Sequence, residues 1–130
     1  MIKLTSLLSE YAIQLKPVEE YETQFGKAYN SPLINGPHKY YLIAVTKRHD
    51  IIGEIEYGDV DDNTLEIISI HLDPIQRGKN YGAEAFNLLM ETEHKGRAVL
   101  MVTPSSKKFW VRLGFTPMKD GPTSYYEKSL

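Results

Sequence analysis

Residues 72–83 read LDPIQRGKNYGA, and the way this stretch punctuates the chain decides the fold. Leu72 closes an apolar run and Asp73-Pro74 stops it. Gly78, Gly82 and Ala83 then gather where the next apolar segment, a helix by its spacing, begins. Small residues at a helix mouth let a ligand approach the backbone N–H groups that the first turn leaves unpaired, where the helix dipole also favours negative charge. Arg77 and Lys79 flank that mouth. The stretch has the form of a pyrophosphate cradle, and an ordinary strand–helix connection with exposed Lys and Arg is the alternative. Two other phosphate loops do not fit: no G-x-x-x-x-G-K-[ST] occurs, and no G-x-G-x-x-G follows a strand.

Upstream, 65–72 (LEIISIHL) reads as a strand, preceded by a turn at 58–63 (GDVDDN). The β-rich runs 51–57 (IIGEIEY) and 39–47 (KYYLIAVTK) flank a turn at 47–50, so the three strands predict an antiparallel meander. Residues 30–38 (NSPLINGPH) read as a loop. Before it, Ile2, Leu4, Leu7, Leu8 and Tyr11 recur at helical spacing and Pro17 is placed to open a second helix over 18–29, so 1–29 is expected to be helical.

Downstream, 80–95 carries Ala83, Ala85, Phe86, Leu88 and Leu89 on one broad face, with Lys95 in the last turn and Gly96 expected as a left-handed cap. The apolar run 98–102 (AVLMV) reads as a central strand, and the crossover rule places it parallel to 65–72. A short helix over 105–113 halts at Gly114, and 115–118 with 124–128 form a closing hairpin around 119–122. The fold class is α+β: a mixed, mostly antiparallel sheet with a central β-α-β unit and abbreviated N-terminal helices, in a single domain over 1–130.

Composition narrows the function. The chain's 130 residues fit one domain, and 42% hydrophobic with 25% charged residues is ordinary globular usage. Fifteen basic against 17 acidic residues leave a net charge of −2, which argues against coating nucleic acid or an anionic membrane. With no cysteine there is no disulfide, thiolate metal site or cysteine nucleophile. His38, His49, His71 and His94 form no i,i+4 pair and HExxH is absent, so no metal site is expected. The start, MIKLTSLLSEYAIQL, is too polar for a signal peptide and no window reaches 18 apolar residues. The expectation is a soluble cytoplasmic protein.

The segment from Ile70 through Leu72, Pro74, Arg77, Gly78 and Lys79 to Gly82 resembles the acyl-CoA loop of the GNAT superfamily of N-acetyltransferases. Its core pattern, [QR]-x-x-G-x-[GA], maps onto residues 77–82, with Asn80 where the middle glycine is usual. Asn tolerates left-handed backbone and caps helices, which makes the departure survivable. Phe109-Trp110-Val111-Arg112-Leu113-Gly114-Phe115 resembles the family's F-Y-x-x-x-G-F segment, and Tyr126-Glu127-Lys128-Ser129-Leu130 resembles its last strand. The three motifs stand in order across 39–130, while residues 1–38 match poorly.

The resemblance implies acetyl-CoA as cosubstrate, lying against strand 65–72. Backbone groups at Ile70, His71 and Leu72 would hold the pantetheine arm, and those of Arg77, Gly78, Lys79, Asn80, Tyr81, Gly82 and Ala83 the pyrophosphate. The chemistry then needs a base, since an ammonium of pKa ~10.4 has no lone pair with which to attack a thioester. Glu66 is the first candidate. Simple alternation puts it on one strand face with Ile68, Ile70 and Leu72, where desolvation would raise its pKa. It also stands eleven residues before Arg77, the spacing of the glutamate base in the histone-acetylating branch of the family. A strand-end Glu reaching solvent is the alternative reading; Glu54, Glu56 and His71 are reserve candidates.

The family's usual general acid is the tyrosine of F-Y-x-x-x-G-F, and here that position is Trp110, whose indole N–H is no proton donor at neutral pH. Tyr125, Tyr126, Ser105 or Ser106 would substitute, or the CoA thiolate, of thiol pKa near ~8.5, would leave unaided. Tyr40 and Tyr41 read as cleft-lining or as core and rim. The expected function is acetyl transfer from acetyl-CoA to a primary amine, of a small molecule or a protein, by direct attack. A homodimer is left open. A non-catalytic acyl-CoA-binding module is the alternative.

Charge along the chain refines the acceptor. Residues 50–76 hold eight acids and no Lys or Arg, whereas 95–112 hold five basic residues and no acid. The acidic stretch suits a cationic acceptor, or else it is a solvated turn at 59–62; the basic one suits the phosphates of CoA.

Overall fold

The computed structural model describes residues 12–18 and 31–130. Among these residues seven strands form one sheet in the order β1-β2-β3-β4-β5-β7-β6. They are β1 (Ile13–Pro17), β2 (Lys39–Val45), β3 (Ile51–Asp59), β4 (Thr64–Leu72), β5 (Arg97–Met101), β6 (Thr116–Pro117) and β7 (Tyr125–Ser129). A 3-10 turn, Pro74–Gln76, leads from β4 towards helix α1 (Tyr81–Glu93), and α2 (Lys107–Arg112) follows β5. The meander β2-β3-β4 is antiparallel, β4–β5 is the one parallel pair among the described residues, and β7 pairs antiparallel with both β5 and β6. This is the α+β arrangement expected.

The N-terminal expectation is corrected where the structure describes it. Residues 13–17 form an edge strand paired from Ile13↔Val45 to Pro17↔Tyr41, with no helix there. Alternation decides: Ile13 is buried and Leu15 packs against the core, while the free edge tolerates Pro17, which lacks an N–H. Pro17 thus ends a strand. Of the helical stretch expected over 1–29, with its second helix over 18–29, residues 1–11 and 19–29 lie outside the described residues.

A second correction concerns the end of α1. The left-handed residue is His94 (φ 54°), whose N–H reaches the carbonyls of Met90 and Glu91. Gly96 is required for a different reason: a Cβ there would stand 2.7 Å from Asn63 Oδ1, and its N–H donates to the Asn63 carbonyl at 3.1 Å. Its glycine permits a close approach between the β3–β4 turn and the start of β5.

The core lies between α1 and one face of the sheet. Phe86 and Leu89 of α1 meet Ile43, Ile55, Leu65, Ile67 and Leu100, and Trp110 and Phe115 close the cluster from α2 and the loop after it. Trp110 sits edge-on to both Phe109 and Phe115, with ring centroids 4.8 and 5.3 Å apart.

One irregularity in β4 sets which way its carboxylate points. Glu56 pairs with Ser69 but Tyr57 pairs with Ile67, so Ile68 is an extra residue. Such a bulge shifts the side-chain parity of its strand. Leu65 and Ile67 face the core before it, and Ile70 and Leu72 pack on the same core after it. Glu66 therefore points to the opposite face from Ile70 and Leu72, and the common face expected from simple alternation does not exist. Across that outer face Glu66 aligns with Gly58 of β3 and Val99 of β5, and His71 with Glu54.

Candidate active site

The parallel ladder between β4 and β5 consists of Thr64↔Arg97, Leu65↔Ala98 and Glu66↔Val99. Beyond that point the strands diverge, and β4 runs on to Leu72 with its edge towards β5 outside the ladder. The fork is thus at Glu66. Further along β4 lies a cleft of about 720 Å³, bounded by Ile70 and Leu72 of β4, Arg77, Gly78 and Asn80 of the loop, the start of α1, and Phe109 and Trp110 of α2.

The loop's backbone is shaped by two left-handed residues, Gly78 (φ 85°) and Asn80 (φ 65°). Asn80 occupies the conformation that the middle glycine of the motif would adopt more cheaply. Its side chain makes no capping hydrogen bond. The first-turn amides of Tyr81, Gly82 and Ala83 therefore remain as donors, and an anion at a helix N-terminus satisfies such groups. At Gly82 a Cβ would lie 3.0 Å from Phe109 Cζ. Glycine there lets α2 close against α1, so Phe109 forms a wall of the cleft.

The expected cofactor-binding residues are gathered by this geometry: Ile70, His71, Leu72, Arg77, Gly78, Asn80, Tyr81 and Gly82 all line the cleft. Lys79 is exposed beside it, its ammonium 3.3 Å from Gln76 Oε1. Arg112, not singled out in the sequence, lines the same cleft with Ser105 and Ser106. Its signal lies in the basic stretch 95–112.

On the outer face Glu66 is 1% exposed. Tyr125 donates to its Oε2 at 2.9 Å, and Ser31 donates a short hydrogen bond to its Oε1. The two hydroxyl oxygens are 3.3 Å apart. Burial pushes the Glu66 carboxyl above its ordinary value, while the Ser31 and Tyr125 hydrogen bonds and the charge of His38 pull it back in part. Tyr126 goes elsewhere: it pairs with Leu100 and packs against the core, as alternation along β7 requires.

Two further carboxylates share the outer face. Glu54 and Glu56 are 8% and 7% exposed. Glu56 Oε2 is 2.7 Å from His38 Nδ1 and accepts a longer bond from Tyr40 at 3.4 Å. Burial, and then the neighbouring Glu56 charge, raise the pKa of Glu54. Residues 31–38 form a strap across this face. Ser31 holds Glu66, the Ile34 side chain fills the space over Gly58, the Asn35 N–H bonds the Asp59 carbonyl at 2.7 Å, and His38 holds Glu56. The sequence marks residues 31–38 only as a loop, and Ser31 carries no local signal. Tyr41 stacks on Tyr57 and donates to Glu93 at 2.7 Å, which makes it a structural residue of the core face.

Known proteins identify the family and the fold. A family model described as Acetyltransferase (GNAT) family matches residues 2–115, which takes in the N-terminal segment that the motifs did not cover. No curated protein matches the chain in sequence. Among solved structures, a GNAT family acetyltransferase from Elizabethkingia anophelis with acetyl-CoA bound superposes with a TM-score of 0.62 at 14% identity, over 92% of this chain and 99% of that one. An acetyltransferase of the GNAT family from Staphylococcus aureus gives 0.58 at 19% identity, over 71% of this chain and 67% of that one. The spermidine/spermine N-acetyltransferase SpeG from Vibrio cholerae gives 0.57 at 12%, over 73% and 68%. At these identities the structures carry the fold, and the family match carries membership. The chain belongs to the GNAT acetyltransferase family.

Proposed function

We propose that the protein transfers an acetyl group from acetyl-CoA to a primary amine of a cationic acceptor, by direct attack and without an acyl-enzyme. The observation that supports this most is that one strand carries two features: β4 holds a buried carboxylate, Glu66, at the last position of its ladder with β5, and further along, at Ile70 to Leu72, it forms a wall of the cleft that ends at the start of α1.

In this reading the amides of residues 81–83, with Arg77 and Lys79, take the pyrophosphate, and the free edge of β4 at Ile70 and Leu72 takes the pantetheine amides. The thioester then lies towards Glu66. Glu66 accepts the proton of the acceptor amine; the nitrogen lone pair attacks the thioester carbonyl, and the C–S bond breaks with its electrons on sulfur. The raised pKa brings the carboxylate nearer to the working range of a base. Of the two tyrosines considered as acid, Tyr125 is the one beside Glu66, and it is proposed as proton donor to the thiolate. Trp110 is a packing residue.

A cationic acceptor is supported by the outer face, where Glu54, Glu56 and Glu66 are all buried. Not every acid in the acidic stretch contributes: Asp59 is paired with Lys39 at 2.8 Å and Lys95 at 3.4 Å, and hydrogen bonding to Lys39 holds its carboxyl below the ordinary range. Thiol release from acetyl-CoA, measured across cationic and neutral amines, tests the reading. Faster release with cationic amines is expected. Equal rates remove the charge argument, and tight CoA binding with no thiol release from any amine points to a binding module.

A further inference from the structure

We propose that Ser31 is the proton relay between the acceptor amine and Glu66, an inference that rests on the transferase reading above. Glu66 is almost wholly buried, and both of its oxygens already hold a hydroxyl: Ser31 on Oε1 and Tyr125 on Oε2. An incoming amine therefore meets a hydroxyl before it meets the carboxylate. Of the two, Tyr125 is 3% exposed, whereas Ser31 is half-buried on the strap at the rim of the outer face.

The polarity of the hydrogen bonds supports the relay. The Leu33 N–H donates to Ser31 Oγ at 3.0 Å, which turns the Ser31 proton towards Glu66. A hydroxyl oxygen has two lone pairs, and the Leu33 contact uses one of them. The Tyr125 hydroxyl oxygen is 3.3 Å away, but its proton is directed to Glu66 Oε2, so the second lone pair of Ser31 is the group an acceptor N–H would reach. When an ammonium passes a proton to Ser31 Oγ, the Ser31 O–H proton passes to Glu66 Oε1. Ser31 ends as a neutral hydroxyl, Glu66 as a carboxylic acid, and the nitrogen keeps the electron pair with which it attacks.

The strap makes this position reproducible. Ile34 over Gly58, the Asn35 bond to Asp59 and the His38 contact with Glu56 fix the segment that carries Ser31. The ionisable groups around the pair are Tyr125 from β7, His38 from the strap, and Glu56 with Glu54 from β3.

The test compares propylamine, an ammonium at neutral pH, with methoxyamine, which is already neutral there and has no proton to lose before attack. Thiol release from acetyl-CoA is measured for the unaltered protein, Ser31→Ala and Ser31→Thr, with acetyl-CoA affinity measured by calorimetry. Ser31→Ala is expected to lose about 10-fold or more in kcat with propylamine and to change little with methoxyamine. Its acid limb should move to higher pH, because a hydrogen bond that favoured the carboxylate is gone. Ser31→Thr should restore most of the rate, and acetyl-CoA affinity should hold. An unchanged rate with propylamine in Ser31→Ala, an equal loss with both amines, or a loss that threonine does not restore overturns the relay alone. No thiol release by the unaltered protein from either amine overturns the transferase reading, and the relay with it.

Discussion

The cleft at the start of α1 and the carboxylate face both draw on β4, yet they are built from different materials. The cleft takes most of its ligand-facing groups from residues 70–82, and many of them are backbone: left-handed turns at Gly78 and Asn80, an uncapped helix start, a strand edge. The carboxylate face is made of side chains brought together from Ser31, His38, Glu54, Glu56, Glu66 and Tyr125, with Ser31 and Tyr125 94 positions apart. A site made of local backbone tolerates changes of side chain and fails when the backbone is crowded. A site made of distant side chains fails at single atoms, and it depends on register to bring them together.

The largest effect that would test this contrast is at Glu66. Glu66→Gln keeps the shape and removes the base, and it is expected to lower kcat by about 10²–10⁴-fold while acetyl-CoA affinity stays unchanged by calorimetry. A parallel loss of affinity would show that the two regions are not separable. The converse change is Gly82→Val, which drives methyl groups into Phe109. It should weaken acetyl-CoA binding about tenfold or more, as overpacking of 1–3 kcal/mol implies, with kcat at saturation little altered. Adding Phe109→Ala should recover part of that loss, since the two residues share one space.

A thermal prediction is smaller. Because the folded state raises the Glu66 pKa, folding binds a proton more tightly than the unfolded chain does between the two pKa values. The ionised carboxylate thus costs stability at neutral pH, and the cost fades as pH falls from the raised Glu66 pKa to the ordinary carboxylate value. Glu66→Gln should melt a few degrees higher than the unaltered protein at pH 7 in a thermal scan, with the gap closing in acid. A gap that widens in acid would show that Glu66 is stabilised as a carboxylate. The smallest effect belongs to Asn80→Gly, which relieves a left-handed Asn and should stabilise by roughly a few tenths of a kcal/mol with acetyl-CoA affinity nearly constant. A large loss there would mean that the Asn80 side chain itself touches the cofactor.

Legibility in the sequence divides in the same way. The meander, the crossover helix and the loop at 77–82 can be read because their signals are local: alternation, turn residues, small residues at a helix mouth. Ser31 and His38 cannot be read, since nothing beside them marks them as partners of Glu66 and Glu56. The spacing to Arg77 singles out Glu66 as the base candidate, but simple alternation assigns it to the wrong face. Period-2 counting assumes an uninterrupted ladder, and Ile68 interrupts it. Gly96 reads as a helix cap when it serves a close contact with Asn63, because a glycine in a sequence does not say which of its two freedoms is used. Strand β1 is hidden by the helical spacing just before it and by Pro17, whose missing N–H matters little on an edge.

The extra residue in β4 also sets how this chain can vary in length. Substituting Ile68 by another residue of similar bulk leaves the ladder as it is. Deleting it would put residues 64–67 and 69–72 on one continuous alternation that keeps Glu66 on the outer face and Ile70 and Leu72 on the core. Inserting one more residue while the bulge stays would turn either Glu66 into the core or Ile70 and Leu72 out of it. Insertions and deletions are usually tolerated in loops and harmful in strands for reasons of stability. Here the count of residues between Glu66 and Leu72, taken with the bulge, decides which face each presents, and a chain one residue longer with the same bulge would keep both motifs and turn one of them to the wrong side.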